Sequence, residues 1–111
     1  MKARVKWVED ITFVGEADSG HAVVMDAAVE NGGNNRGMRP MEMLLVGMGG
    51  CTAFDVLLIL KKARQPVTDC EVLVDAERAT DHPKVFTRIR VHYRIRGKGL
   101  AEAHVKRAVD L

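Results

Sequence analysis

The 111-residue chain holds only two cysteines, three prolines, one tryptophan and one tyrosine, with aromatics at 5%. Two cysteines are too few for the disulfide framework that staples small secreted domains, so the thiols point to a reducing setting and to reactivity. The N-terminus, MKARVKWVEDI, has no apolar segment of signal-peptide type, and the expected location is the cytoplasm. Repeats and low-complexity tracts are missing. So are a phosphate-binding glycine motif followed by lysine and a nucleophile elbow. His21, His82, His92 and His104 show no metal-ligand spacing with each other or with the cysteines, so no metal and no cofactor is expected. A formal charge of +2 is too small to argue for nucleic acid or an anionic membrane. The length fits one domain, residues 1–111.

Apolar sequence is concentrated in one place, residues 37–66, GMRPMEMLLVGMGGCTAFDVLLILKKARQP. Pro40 suits the first position of a helix, where its missing N–H costs nothing, and Glu42 falls in the first turn, where the dipole favours an anion. Lys61, Lys62 and Arg64 crowd the other end, and Pro66 stops the helix. Leu44, Leu45, Met48, Thr52, Val56 and Ile59 line one side, with Val46, Phe54, Leu57 and Leu58 on others, so the helix is expected to be buried. Its length alone would allow a membrane span. Asp55 and three glycines argue against one, since a charge near a span's centre costs roughly 2.5–3.5 kcal/mol.

Residues 2–8, 11–17 and 21–27 alternate as short strands, with Asp18-Ser19-Gly20 as a turn, and predict an N-terminal antiparallel meander. Residues 31–39, NGGNNRGMR, form a glycine- and asparagine-rich loop whose composition allows mobility. Strands are predicted at 70–79 and 85–96, joined by a four-residue turn at 80–83. Cys70, Val72, Val74 and Ala76 share the apolar face of the first. Val85, Thr87, Ile89, Val91, Tyr93 and Ile95 share that of the second. The turn places Asp75 opposite Arg88 and Glu71 beside His92, so the arginine stripe is neutralised by its own hairpin. The one tyrosine faces the core, leaving no stacking platform for nucleic acid. Residues 100–111 predict a second helix with Leu100, Ala101, Val105, Ala108 and Val109 as its apolar side.

The fold class is therefore α+β: N-terminal antiparallel strands, a long central helix, a second antiparallel pair and a C-terminal helix. Two small sheets cannot wrap a helix that is apolar all round. A second copy can, so an obligate homodimer is expected.

Cys51 is the candidate for chemistry. It lies in Gly47-x-Gly49-Gly50-Cys51, where three interior glycines cost a helix roughly 2–3 kcal/mol. Close helix packing accounts for the glycines with an inert thiol, and so does a break or close approach that serves a nucleophile. For the nucleophile, the thiol must ionise, and lowering its pKa by two units takes about 2.7 kcal/mol. The dipole from Pro40 fades within a turn. Either the helix breaks at Gly49-Gly50 or a cation approaches, with Arg36 and Arg39 as candidates and Glu42 able to orient an arginine. Cys70 sits on a strand's apolar face, as a small buried hydrophobe does.

The segments RPMEMLLVGMGGCTAFDV (39–56), VTDCEV (67–72) and PKVFTRIRVHYRIRG (83–97) resemble the OsmC/Ohr family, in particular its small YhfA-like branch. The resemblance implies an intertwined homodimer and thiol-dependent reduction of organic hydroperoxides in oxidative-stress defence. A cysteine on the central helix attacks the peroxide and becomes a sulfenic acid, a second cysteine resolves it, and a dithiol restores the pair. Cys51 matches the attacking cysteine. Arg39 and Glu42 are the candidates for the arginine and glutamate that tune it, although Met41 stands directly after Pro40 where the family has its acidic residue. Cys70 does not match the second cysteine, which would lie beyond Leu111 in a missing C-terminal part of the family domain. Turnover then needs an external dithiol. The other reading left open is a non-catalytic dimeric module, binding a small apolar ligand, in which Cys51 only packs.

Overall fold

A computed structural model describes residues 1–110; Leu111, expected in the last helix, lies outside the described residues. The chain divides into two compact units, Met1–Leu44 and Leu45–Leu111.

The first unit contains β1 (Ala3–Glu9), β2 (Thr12–Ala17) and β3 (Ala22–Met25), antiparallel in that order. Val5 pairs with Gly15 and Gly15 with Val23, while Trp7 pairs with Phe13 and Phe13 with Met25. Alternation therefore puts Val5, Trp7, Phe13, Val23 and Met25 on one face. That face is only partly covered, since Val5 and Trp7 are each 60% exposed. Gly20 closes the β2–β3 turn with φ of 87°, a left-handed value, and its N–H donates to the Ala17 carbonyl.

Helix α1 (Pro40–Lys62) starts at the proline and ends at the lysines that sequence chemistry marks. Its C-terminus is a complete Schellman motif. Arg64 N donates to Lys61 O and Gln65 N to Leu60 O, each at 2.9 Å, with Arg64 left-handed at φ 55°. The helix runs unbroken through Gly49 and Gly50, so Cys51 gains no fresh N-terminus.

The second unit adds β4 (Val67–Arg78), β5 (Phe86–Gly97) and α2 (Glu102–Asp110). Both strands are antiparallel neighbours, but the register differs from the expected one. Asp75 pairs with Arg90 rather than Arg88, and Glu71 with Arg94 rather than His92. Two features cause the shift. The connection is longer than four residues, closing with Ala79 N donating to Val85 O, and a bulge lies where Glu77 pairs with Arg88 and Arg78 with Phe86. The bulge also turns Phe86 to the half-buried side in place of Val85 and Thr87, which are exposed. A slip of two preserves strand parity, so acid still faces base. Arg90 reaches Asp75 at 3.5 Å and Glu77 at 3.3 Å, and Arg94 reaches Glu71 at 3.9 Å. These exposed pairs contribute about 0.2–1 kcal/mol each.

Val56, Leu60 and Ala108 form the core of this unit, with Ile59, Val67, Tyr93, Ile95, Val105 and Val109 packed around them. Burying Val56 and Leu60 stabilises by about 1.5–3 kcal/mol per side chain. Ala101 N donates to Gln65 Oε1 at 2.8 Å and ties the start of α2 to the segment after α1.

Contrary to the expectation of an all-round buried helix, only Gly49, Val56 and Leu60 of α1 are buried within the chain. Leu44, Val46, Met48, Phe54 and Leu58 of α1 stay exposed.

Candidate functional site

Cys51 is an exposed free thiol on α1. Around it, Leu44, Gly47, Phe54 and Leu58 continue the same helical stripe at alternating spacings of three and four residues, the repeat that keeps side chains on one face. Leu44 is 61% exposed, Phe54 67% and Leu58 44%. The thiol is thus the centre of an uncovered apolar stripe. Opposite it, Gly49 is the glycine that packing inside the chain explains, because a Cβ there would stand 3.3 Å from Val74 Cγ2 on β4. Gly47 and Gly50 meet nothing within 4 Å.

Arg39 and Glu42 are brought together at the start of α1. Arg39 N donates to Glu42 Oε1 at 2.9 Å, which is half of a capping box: the third-position glutamate satisfies the cap residue's N–H. Glu42 thus serves the helix terminus. The Arg39 guanidinium Nη1 donates to Asn35 Oδ1 at 2.6 Å and to Gly37 O at 3.1 Å. Arg36, the other arginine considered, donates to Glu9 Oε1, and that bond raises its pKa. Glu42 and Cys51 are nine residues apart on α1, about 13 Å of helical rise. Neither Glu42 nor Arg39 can reach the thiol of its own chain along such a helix.

Cys70 is half-buried on β4, where burial, and then the Asp69 charge, push its thiol pKa up. That environment suits a packed thiol and not a nucleophile.

Sequence reasoning missed the best-built polar cluster. Asp26 is 2% exposed. Its Oδ1 accepts from Ala27 N at 2.7 Å and Asn34 N at 3.3 Å, and its Oδ2 from Thr12 Oγ1 at 2.9 Å and Arg36 N at 3.2 Å. Burial alone would raise the Asp26 pKa, and these four bonds outweigh it and hold the carboxyl at about 2. The loop whose composition allows mobility is therefore stitched down. Gly33 and Asn35 donate to the Ala28 and Ala27 carbonyls, and Asp26 N to Met38 O. A Cβ at Gly33 would stand 2.1 Å from Ala27 O, so glycine is required there for close approach. The available signal was an aspartate at a strand's end before a Gly/Asn run, where such carboxylates cap loop N–H groups. Among the described residues, no group of three or more His, Cys, Asp or Glu side chains could hold a metal ion.

The family model for OsmC-like protein matches residues 32–111, which include most of the stitched loop, α1, the β4–β5 hairpin and α2. The chain belongs to the OsmC-like family. This OsmC-like chain is 50% identical over 111 residues to protein YhfA of Escherichia coli strain K12, covering 100% of its own length and 80% of that protein. It is 31% identical to a hypothetical protein of Aquifex aeolicus VF5 whose crystal structure superposes with a TM-score of 0.83, covering 98% of this chain and 75% of that one. An organic hydroperoxide resistance protein from Elizabethkingia anophelis shares the fold, with a TM-score of 0.68 at 17% identity over 96% and 78% of the two chains. An 18-residue stretch of α1 meets the length and hydropathy of a bilayer span, with a mean hydropathy of 2.1. The same helix falls within the match to the OsmC-like family model.

Proposed function

We propose that this OsmC-like chain reduces organic hydroperoxides through Cys51, in a cytoplasmic homodimer built from one OsmC-like domain per chain, residues 1–111. The supporting observation is the place of Cys51 at the centre of the uncovered apolar stripe of α1, on the helix within the family match. A thiol at that position, covered by a second copy, would sit in an apolar enclosure suited to an alkyl peroxide. Arg39 and Glu42, out of reach along their own helix, would approach Cys51 from that second copy.

In the proposed reaction the Cys51 thiolate attacks the terminal oxygen of the hydroperoxide. An S–O bond forms and the O–O bond breaks. Sulfur is oxidised to the sulfenic acid, and the alkoxide leaves as the alcohol after taking a proton. A dithiol reductant then attacks the sulfenic sulfur, releasing water and giving a mixed disulfide. Its second thiol expels Cys51 as thiolate, so the dithiol ends as a disulfide. Arg39 stabilises the thiolate, and Glu42 fixes the start of α1 and with it the Arg39 backbone.

The test is consumption of cumene hydroperoxide with dithiothreitol, compared between wild type and Cys51→Ser. Loss of turnover in the variant supports the reading, and equal turnover rules it out. A second reading, a non-catalytic module for a small apolar ligand, draws on a groove of about 340 Å³ in the first unit, lined by Val5, Gly15, Ala17, Val23, Met25 and Met43. Under that reading Cys51 is inert to iodoacetamide in the folded protein, whereas the peroxidase requires a thiol that alkylates at neutral pH.

A further inference from the structure

Asp55 is the one charged residue of α1 between Glu42 and the lysines at its end. Helix formation does not explain it, because aspartate is a weak helix former and the dipole favours an anion only in the first turn. Among the described residues no cation lies within ion-pair distance of its carboxylate. Asp55 follows Cys51 by four residues in a regular helix, a spacing that leaves the two Cβ atoms roughly 5–6 Å apart. The side of α1 next to the thiol also meets a second acid. Thr52 and Asp55 line a cleft of about 260 Å³ together with Tyr93 of β5 and Asp110 of α2, and no cation lines it. The cations of α2 border other grooves, His104 and Arg107 beside Lys62, and Lys106 beside Val91. The acids of β4, in contrast, are matched across the hairpin by Arg90 and Arg94. Asp55 and Asp110 thus give the approach to Cys51 a negative potential.

We infer that Asp55 makes Cys51 selective by charge. The thiol accepts hydroperoxides whose organic part is neutral and discriminates against those that carry a carboxylate or another anion. The substrate class rests on the proposed function, whereas the charge selectivity of the thiol stands without it. Phe54 and Leu58, exposed on the same stripe, offer apolar contact to the organic group of either class, so charge is what separates the two. Two unit charges about 6 Å apart in a water-like dielectric change a rate by about threefold, and a drier site raises that factor. Asp55 needs no contact with the reacting atoms for this, since its effect is on which molecules reach the sulfur.

The experiment compares two alkylating reagents of similar size, neutral iodoacetamide and anionic iodoacetate, with peptide mass separating Cys51 from Cys70. Asp55→Asn is expected to raise the iodoacetate-to-iodoacetamide rate ratio at Cys51 about threefold at low salt. Asp55→Glu, which keeps the charge, is expected to keep the wild-type ratio. The difference between wild type and Asp55→Asn should shrink in 1 M salt, where charges are screened beyond about 3 Å. Taking a ratio cancels any effect of the substitution on folding or on the thiol itself. An unchanged ratio in Asp55→Asn overturns the inference, and so does a rise that Asp55→Glu shares. Turnover of cumene hydroperoxide and of its para-carboxylate derivative is read in parallel, and the carboxylate form is expected to gain on the neutral one in Asp55→Asn. If the alkylation ratio moves and this one does not, the substrate class is wrong. Turnover retained by Cys51→Ser removes the peroxidase reading, while the alkylation ratio still decides the charge selectivity. A Cys51 that neither reagent alkylates overturns both.

Discussion

Arg64 adopts φ 55° at the position after the α1 C-cap, where a Cβ is disfavoured and glycine is the usual occupant. Both Schellman hydrogen bonds are made despite the arginine. Arg64→Gly is therefore expected to stabilise the fold by about 0.5–1 kcal/mol, visible as a melting temperature a few degrees higher, and Arg64→Val to lower it. Asp26 gives a pH prediction of definite sign. Its folded pKa of about 2 lies below the ordinary 3.8, so its stabilisation is present above about pH 4 and is lost as pH falls through 2. Asp26→Asn should thus be less stable than wild type at neutral pH, and the gap measured by denaturant melts should close between pH 4 and 2. A gap independent of pH would show that the four bonds do not depend on the charge. At this scale the sequence was least informative. Thr12 and Asn34 lie 14 and 8 residues from Asp26, and no local pattern announces a carboxylate that gathers donors over such distances.

At the scale of elements much more was legible, because ends and faces are local properties. Pro40 and the Lys61–Lys62 pair bracket α1 as dipole and capping chemistry require, and alternation assigned the faces of β4 and, from Ile89 onward, of β5. The hairpin register was not legible. It depends on how many residues the connection and the Thr87 bulge take up, and charge parity is satisfied equally by registers two apart. The glycines of α1 separate by the same reasoning. Gly49 is explained by β4, whereas Gly47, on the Cys51 stripe, has open space in a single chain. If nothing covers the stripe, Gly47→Ala should gain about 0.8–1 kcal/mol from helix propensity. On the proposed dimer we expect a loss instead, seen as a denaturation midpoint that falls and depends more steeply on protein concentration, because a second copy would approach too closely for a methyl group.

The whole molecule poses the question that neither unit answers alone, namely what covers the apolar surface that both expose. Val5, Trp7, Leu44, Val46 and Phe54 are all more than half exposed. Apolar exposure on that scale marks an interaction surface. A second copy offers the same surfaces in return, as a two-fold interface requires. Light scattering is expected to give twice the chain mass, and Phe54→Asp, which sets a charge beside Cys51 in the middle of the stripe, to dissociate the pair or unfold it. The proposed dimer also bears on how the proposed site is assembled. Arg39 and Cys51 stand twelve residues apart on one chain, about 18 Å of helical rise, so each site would draw its cation and its thiol from different chains. Mixing Arg39→Ala with Cys51→Ser subunits, each deficient alone, should then restore alkylation and peroxide consumption to the mixed dimers, in which one site pairs an intact Arg39 with an intact Cys51. Refolding the two variants together and separately from denaturant makes the comparison. Mixed samples no more active than the average of the two parents would place cation and thiol in one chain and contradict the shared site.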